Sequence, residues 1–346
     1  MPVVGLDLGS QNIKAVEVEK QKGRIFLRKL GFHSDPELNL YSAQQKDWDS
    51  YAAVLKKFFA ETGFTTPEVV VPLPETEVYM RVVKFPQMDE KELKTSIAYE
   101  AEQYIPIPIK EVNFDSQILD KDSLDKDKMN VLMVAAKKSV ISKYVYILGK
   151  AGLTPKGLEP AALAIARVFA DSSADPALAV VILQIGATDS QIVISSGGYV
   201  RFTRSVNVGG VDLTKAVEQS LGFDMTQAEE YKKTYGLDTH QGEGKVAAAI
   251  RPVFDQILNE VKRARIFYTT HNPGVTINRV IIGGGTALMP GLLFYVANNL
   301  DIEVELANPW RNIEFSRALA SQKQQIIEHA PTYVTAVGLA LKGING

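Results

Sequence analysis

The segment Val3-Val4-Gly5-Leu6-Asp7-Leu8-Gly9-Ser10 returns, diverged, as Val180-Val181-Ile182-Leu183-Gln184-Ile185-Gly186-Ala187. The offset is 177 residues in a chain of 346. In each copy an apolar run meets a glycine-centred turn of small and polar residues. A second apolar run follows, Ile13 to Val18 in one copy and Ile192 to Ile194 in the other. This is the pattern of a β-hairpin, and it stands once at the head of each half. A repeat of this period calls for two like domains. Tight turns of this kind expose backbone N–H groups, and phosphate is their natural ligand. Two such turns facing each other form a cradle between domains.

Composition narrows the classes. Hydrophobic residues make up 46% and charged residues 23%, the usual balance of a globular protein. The net charge of −2 leaves no basic footprint for nucleic acid. The chain has no cysteine, hence no disulfide framework or thiolate metal site. His33, His240, His271 and His329 show no metal-ligand spacing. Pro2-Val3-Val4 enters a strand at once, so no signal peptide is expected. No apolar run approaches the roughly 18 residues of a membrane span, and Leu341 to Gly346 carries no amphipathic anchor. Any membrane association is expected to run through a partner.

Along the chain, a helix is expected from Trp48 to Thr62, with Tyr51, Leu55 and Phe58-Phe59 at helical spacing. Val69 to Leu73 reads as a strand. Then the character changes. Val78 to Phe85 reads as a strand, and Asp89-Glu90-Lys91-Glu92 as a capping box. The box opens a helix with Leu93, Ile97, Ala101 and Tyr104 on one face, stopped by Pro106. Strands Val112 to Leu119 and Asn130 to Ala136 flank a charged loop, and a helix with Val140, Tyr144 and Leu148 closes this inserted α+β unit. Gly157 to Phe169 reads as a crossover helix. Ser196-Gly197-Gly198 turns the second hairpin into a further strand, Tyr199 to Val206. Asp224 with Gln227 caps a helix ending at Gly236. A long helix spans Val246 to Tyr268, with Pro252 kinking it or marking its start. The chain closes on a helix from Thr332 to Lys342.

Several motifs carry chemistry. Asp7 lies in an apolar strand, where a lone carboxylate costs several kcal/mol, so it must be paired or metal-linked. Gly9 closes the turn, Ser10, Gln11 and Asn12 offer amides to phosphate oxygens, and Lys14 offers charge. The plainer reading is a hairpin turn with Asp7 bonded to the turn amides. The second copy, Gln184 to Asp189 with Gly186, Ala187 and Thr188, keeps the turn and loses the strand carboxylate. Ile281-Ile282-Gly283-Gly284-Gly285-Thr286 is a strand running into a glycine turn and a helix start. It lacks the Rossmann spacing, and no P-loop motif occurs anywhere in the chain. Glu229 and Lys232 share a helix face, in isolation an ordinary surface pair. Glu159 precedes Pro160 at a helix entry. No serine sits in a nucleophile-elbow setting.

In order, these motifs run hairpin, Glu-Pro helix, second hairpin, Gly209-Gly210 before a helix, Glu-x-x-Lys helix, Gly-Gly-Gly-Thr turn and small-residue closing helix. Over essentially the whole chain that order resembles the actin-like ATPase superfamily. The resemblance implies an α/β fold of two duplicated sheet-and-helix domains around a nucleotide cleft, with an inserted α+β subdomain in the first. It implies ATP and Mg²⁺ as cofactors. By position, Asp7 would hold the Mg²⁺ water shell. Gly9, Ser10, Gln11, Asn12 and Lys14 would meet the β- and γ-phosphates, and Glu159 the attacking water. Gly186, Ala187 and Thr188 would form a second phosphate loop, with Gly209 and Gly210 behind it. Glu229 and Lys232 would meet ribose and adenine, and Gly284, Gly285, Thr286 and Met289 the other face of the nucleoside.

The insert is more specific. Phe85-Pro86-Gln87-Met88-Asp89-Glu90-Lys91-Glu92-Leu93, Tyr99-Glu100-Ala101-Glu102-Gln103-Tyr104-Ile105-Pro106-Ile107-Pro108 and Gly209-Gly210-Val211-Asp212-Leu213-Thr214 resemble the PilM family of type IV pilus assembly proteins, similar in plan to FtsA. The resemblance implies a cytoplasmic protein brought to the inner membrane by a PilN-like partner. The N-terminal peptide of that partner would be gripped between the first domain and its insert. It implies a division into 1–77 with 150–178 and 328–346, the insert 78–149, a second core of 179–222 with 278–327, and an adenosine-side unit of 223–277. Gln184 stands where many actin-like ATPases have Asp, so ATP binding with slow hydrolysis or none is the expectation. Two alternatives are a small-metabolite or sugar kinase of the same superfamily and an FtsA-like filament protein. The first lacks a carboxylate motif near the second hairpin, the second a C-terminal amphipathic helix.

Overall fold

The apolar runs form strands numbered here in chain order: β1 (Val3–Leu8), β2 (Asn12–Gln21), β3 (Arg24–Ser34), β4 (Glu68–Leu73), β5 (Val78–Pro86), β6 (Val112–Lys121), β7 (Lys128–Lys137), β8 (Thr154–Pro160), β9 (Leu178–Ile185), β10 (Ser190–Ser196), β11 (Tyr199–Val206), β12 (Thr276–Gly283), β13 (Glu303–Leu306) and β14 (Glu314–Phe315). They are taken from a computed structural model that describes residues 2–9, 11–35, 40, 42–105, 107–121 and 125–345. Ser10 and Pro106 lie outside the described residues, as do the side chains of Ala101 and Tyr104.

Two sheets repeat one plan. The first has the order β14-β3-β2-β1-β4-β8 and the second β11-β10-β9-β12-β13. Without β14 the two orders are the same. In each, an antiparallel three-strand meander is extended by two parallel strands. The central strands are covered on both faces, which explains their unbroken apolar runs. In β9, Val181, Leu183 and Ile185 enter one core while Val180 and Ile182 enter another. The closing helix, Val334–Asn345, lies directly on β1. A Cβ on Gly5 would stand 1.9 Å from the Ala336 carbonyl oxygen, so only glycine lets the two backbones approach.

The third sheet, β5-β7-β6, is antiparallel and has its own core of Phe85, Leu93, Ile97, Val131 and Met133. The capping box before helix Glu90–Tyr104 forms as expected. The Asp89 carboxylate accepts from the Lys91 and Glu92 N–H groups at 2.8 Å, and Glu92 accepts from the Asp89 N–H at 3.1 Å. The helix that follows, Lys138–Lys150, departs from expectation. It buries Tyr144, Ile147 and Leu148 beside Leu55 and Phe58, in the core of the first sheet. The register explains this: Val78 is paired with Ala136, so chain entry and exit form a neck, and the chain beyond it returns to the first domain. The insert touches the second domain through the forked Arg201 guanidinium, which donates to both carboxylate oxygens of Asp120.

Two further expectations are corrected. Thr154–Pro160 is a strand, β8, and the helix expected from Gly157 starts only at Ala161 and ends at Val168. Pro155 and Gly157 both disfavour helix, and β4 offers a free edge for parallel pairing. The long helix runs from Lys245 to His271 with Pro252 inside it, so of the two alternatives given for Pro252 the helix start is ruled out. Elsewhere the turn chemistry holds. Gly197 (φ 62°) and Gly198 (φ 77°) form the two-residue left-handed turn between β10 and β11.

Candidate functional site

A cleft of about 1720 Å³ runs between the two large sheets. Its floor is made by the hairpin turns. Gly9 N–H donates to the Asn12 carbonyl at 2.9 Å, and Gly186 N–H to the Asp189 carbonyl at 2.8 Å. A Cβ at either glycine would fall 2.8 or 2.9 Å from that same carbonyl oxygen. Below each turn sits a cross-strand pair, Asp7 opposite Lys14 and Gln184 opposite Gln191. Lys14 Nζ lies 3.4 Å from the Asp7 carboxylate, and both side chains are largely buried. This is the pairing that Asp7 required.

The second turn is tied to the helix Gly210–Leu221. Gly210 N–H donates to the Gly186 carbonyl at 2.9 Å, and Val211 N–H to the Ala187 carbonyl at 2.8 Å. Gly210 also abuts the third turn, because a Cβ there would lie 2.7 Å from Thr286 Oγ1. Gly209 does not line the cleft. It packs behind the second turn, 2.5 Å from the Ala187 carbonyl oxygen if given a Cβ. Gly284 adopts φ +89° with no room for a Cβ against the Ile185 carbonyl, so glycine is required there.

On helix Met225–Tyr235, Glu229 and Lys232 are not a solvated surface pair. Lys232 is buried and donates to the Gly210 carbonyl (2.9 Å), Thr214 Oγ1 (2.8 Å) and Glu229 (2.6 Å). Burial pushes the Lys232 ammonium down from its ordinary value, with Glu229 opposing. Burial pushes Glu229 up, but hydrogen bonds from Lys232 and Thr214 and the neighbouring lysine charges outweigh it and hold the carboxyl low. The pair thus links helix 225–235 to the start of helix 210–221. Met289 is buried at the cleft wall against Gly236.

The cleft therefore gathers Asp7, Gly9, Gln11, Asn12, Lys14, Gln184, Gly186, Ala187, Thr188, Gly210, Glu229, Lys232, Gly284, Gly285, Thr286 and Met289. Besides Gly209, Glu159 also lies apart from it. It is buried on the far side of β8, where Arg167 grips both its oxygens (2.6 and 2.8 Å) and Lys342 approaches at 3.1 Å. Its side chain serves the joint between helix Ala161–Val168 and the closing helix. The structure does not bring it to the cleft.

Three residues at the floor were not singled out by sequence: Glu75, Asp189 and Gln191. The repeat itself points to two of them, since Asp189 and Gln191 stand 177 residues after Asn12 and Lys14. Burial raises the Asp189 carboxyl above its usual range, Thr188 opposes, and the charge of Asp7 raises it further. The charge of Asp7 thus reaches Asp189 across the floor. Gln184 Oε1 is buried with no hydrogen-bond partner among the described residues. Two like-charged carboxylates and an unsatisfied amide oxygen are a donor set suited to a hydrated cation. Among the described residues no three His, Cys, Asp or Glu side chains form a group that could hold a metal ion directly.

The two sheets of one plan, the matched turns and the cleft between them define an actin-like ATPase fold. The chain belongs to the type IV pilus assembly protein PilM family, whose match covers residues 5–344; it is an actin-like protein of type IV pilus assembly. Its structure is similar to that of a PilM–PilN type IV pilus biogenesis complex, with 27% identity, 99% of both chains covered and a TM-score of 0.86. The cell division protein FtsA of Bacillus subtilis (strain 168) is 22% identical over 383 residues, covering 97% of this chain and 82% of FtsA. MreB5 of Spiroplasma citri bound to AMPPNP shares the fold at 14% identity, with 99% and 97% of the chains covered and a TM-score of 0.54.

Proposed function

We propose that this cleft binds ATP with magnesium and that nucleotide state is passed to the inserted unit, which takes the N-terminal cytoplasmic peptide of a PilN-like inner-membrane protein. The observation that carries the nucleotide half is the pair of matched glycine turns facing one cleft with Gly284-Gly285-Thr286 at its side. The AMPPNP-bound MreB5 supports it. Asp7 would order the magnesium's water shell. The turn amides around Gln11 and Asn12, with Lys14, would hold the β- and γ-phosphates, and Thr188 the opposite side. Glu229 and Lys232 would flank ribose and adenine. Magnesium, when bound, supplies charge neutralisation at the phosphates. Hydrolysis would be slow, because Gln184 gives the second hairpin an amide in the strand where the first has a carboxylate.

The partner half is supported by the PilM–PilN complex and by the separate core of the β5-β7-β6 unit. Among the described residues no helix is long and apolar enough to cross a membrane, so recruitment to the inner membrane would run through the partner. An extended peptide gains main-chain hydrogen bonds at a strand edge and buries alternate side chains. The neck at Val78 and Ala136 defines the test. Residues 79–135 are replaced by a short glycine linker, which leaves Tyr144, Ile147 and Leu148 in the first core. The shortened protein should bind a fluorescent ATP analogue and fail to capture the partner peptide in a pull-down. Retained capture would sink the assignment of the insert.

A further inference from the structure

The family resemblance gives the attacking water to Glu159, and the fold has turned Glu159 away. A different carboxylate occupies the floor. Glu75 leaves β4 through Pro72-Leu73-Pro74, which steers the chain under the start of helix Ala161–Val168. The register explains the meeting. β4 and β8 run parallel with Leu73 opposite Pro160, so the residue two beyond β4 meets the residue two beyond β8. Glu75 Oε1 accepts the Ala162 N–H at 3.2 Å. The Gln191 side chain and Asp189 lie on the facing side, with Gln184 paired across the strands to Gln191. Glu75 therefore stands between the domains, at the helix entry where the resemblance expects the water-handling group.

We propose that Glu75 is the carboxylate that holds the attacking water in this cleft and accepts its proton. The inference rests on the reading of the cleft as an ATP site. The water oxygen bonds to the γ-phosphorus as the bond from that phosphorus to the β,γ-bridging oxygen breaks. The electron pair of the broken bond leaves on the diphosphate. The water's proton passes to Glu75 and from there to the released phosphate. Ala162 N–H holds one carboxylate oxygen, and the Gln191 side chain meets the carboxylate from the facing strand; the attacking water would take its place beside them. Burial pushes the Glu75 carboxyl above its ordinary range, against the Ala162 and Gln191 contacts, and Asp189 adds to the push. A carboxylate of raised basicity is the better proton acceptor.

Single-turnover hydrolysis of magnesium-ATP by the full chain tests this, with nucleotide affinity and melting temperature measured on the same samples. Glu75→Gln keeps the shape and the Ala162 contact. It should slow the hydrolytic step about a hundredfold while affinity moves less than about threefold, a split that lost folding does not produce. Glu159→Gln should lower the melting temperature more and the rate per folded molecule less. Should Glu75→Gln fail to fold, Glu75→Asp withdraws the carboxylate by one methylene and should cost about tenfold or more in rate at unchanged affinity. Wild-type rates in whichever of these variants folds would overturn the proposal, and so would a wild type that binds ATP but never hydrolyses it. A wild type that binds no ATP removes the underlying reading instead, and the separate affinity measurement tells the two failures apart.

Discussion

Around Gly9 and around Gly186 the chain makes the same turn, closed by the same glycine N–H to carbonyl bond and denied a Cβ by the same carbonyl. The side chains differ. The first hairpin carries Asp7 and Lys14 on facing strands and Asn12 in the turn, while the second carries Gln184 and Gln191 on the strands and Asp189 in the turn. The first is charge-balanced within itself. The second has moved its carboxylate from the strand into the turn, and its ionisation is opposed by burial and by Asp7. Glycine fixed the backbone of both copies, and the chemistry was free to diverge around it. On the proposed reading, the first hairpin would hold the hydrated cation, and the second would contribute amides and a carboxylate that gains from the cation's charge.

Substitutions that erase or exchange these differences test the comparison. The largest effect is expected for Asp7→Ala, which should weaken the magnesium-dependent part of ATP affinity roughly 10–100-fold, as losses of outer-shell ligands do. Titration calorimetry showing no loss would make the two hairpins equivalent. Next comes Gln184→Asp, which gives the second strand the carboxylate of the first. Wild-type turnover is expected well below about 1 per second, the low end for enzymes. The variant should turn over faster in single-turnover assays, and an unchanged rate would show that strand carboxylates do not set the slow step. The smallest effect is expected for Asp189→Asn. A raised carboxyl leaves stability intact while it is protonated and costs stability as pH rises through its folded-state value. Wild type should therefore lose stability relative to Asp189→Asn as pH climbs from the ordinary Asp value of 3.8 towards neutrality. Melting curves in magnesium-free buffer that stay parallel across that range would show that Asp189 carries no penalty.

The hairpins were legible because glycine, apolar runs and a long repeat are local signals. So were the capping boxes at Asp89 and Asp224, whose side chains accept the bonds that their spacing implies. The strand Thr154–Pro160 was not, because its pairing with β4 is decided some 85 residues away. Nor was the direction of Glu159. Residue order places it at the helix entry, but the alternation of β8 aims its side chain at Arg167, a residue one helix later. Glu75 escaped for the complementary reason: no local pattern marks it, and only the parallel register of two strands brings it to Ala162. The Glu229–Lys232 pair was found by spacing, but its burial came from Gly210 and Thr214, distant in sequence.

Titrating ATP into the wild-type chain, once with magnesium and once with a chelator, tests the central claim most directly. Two unequal hairpins around one hydrated cation predict micromolar binding with magnesium, about −8 kcal/mol, and clearly weaker binding without it, since Asp189 then faces the phosphates with no cation between them. Equal affinity in the two titrations would contradict the account.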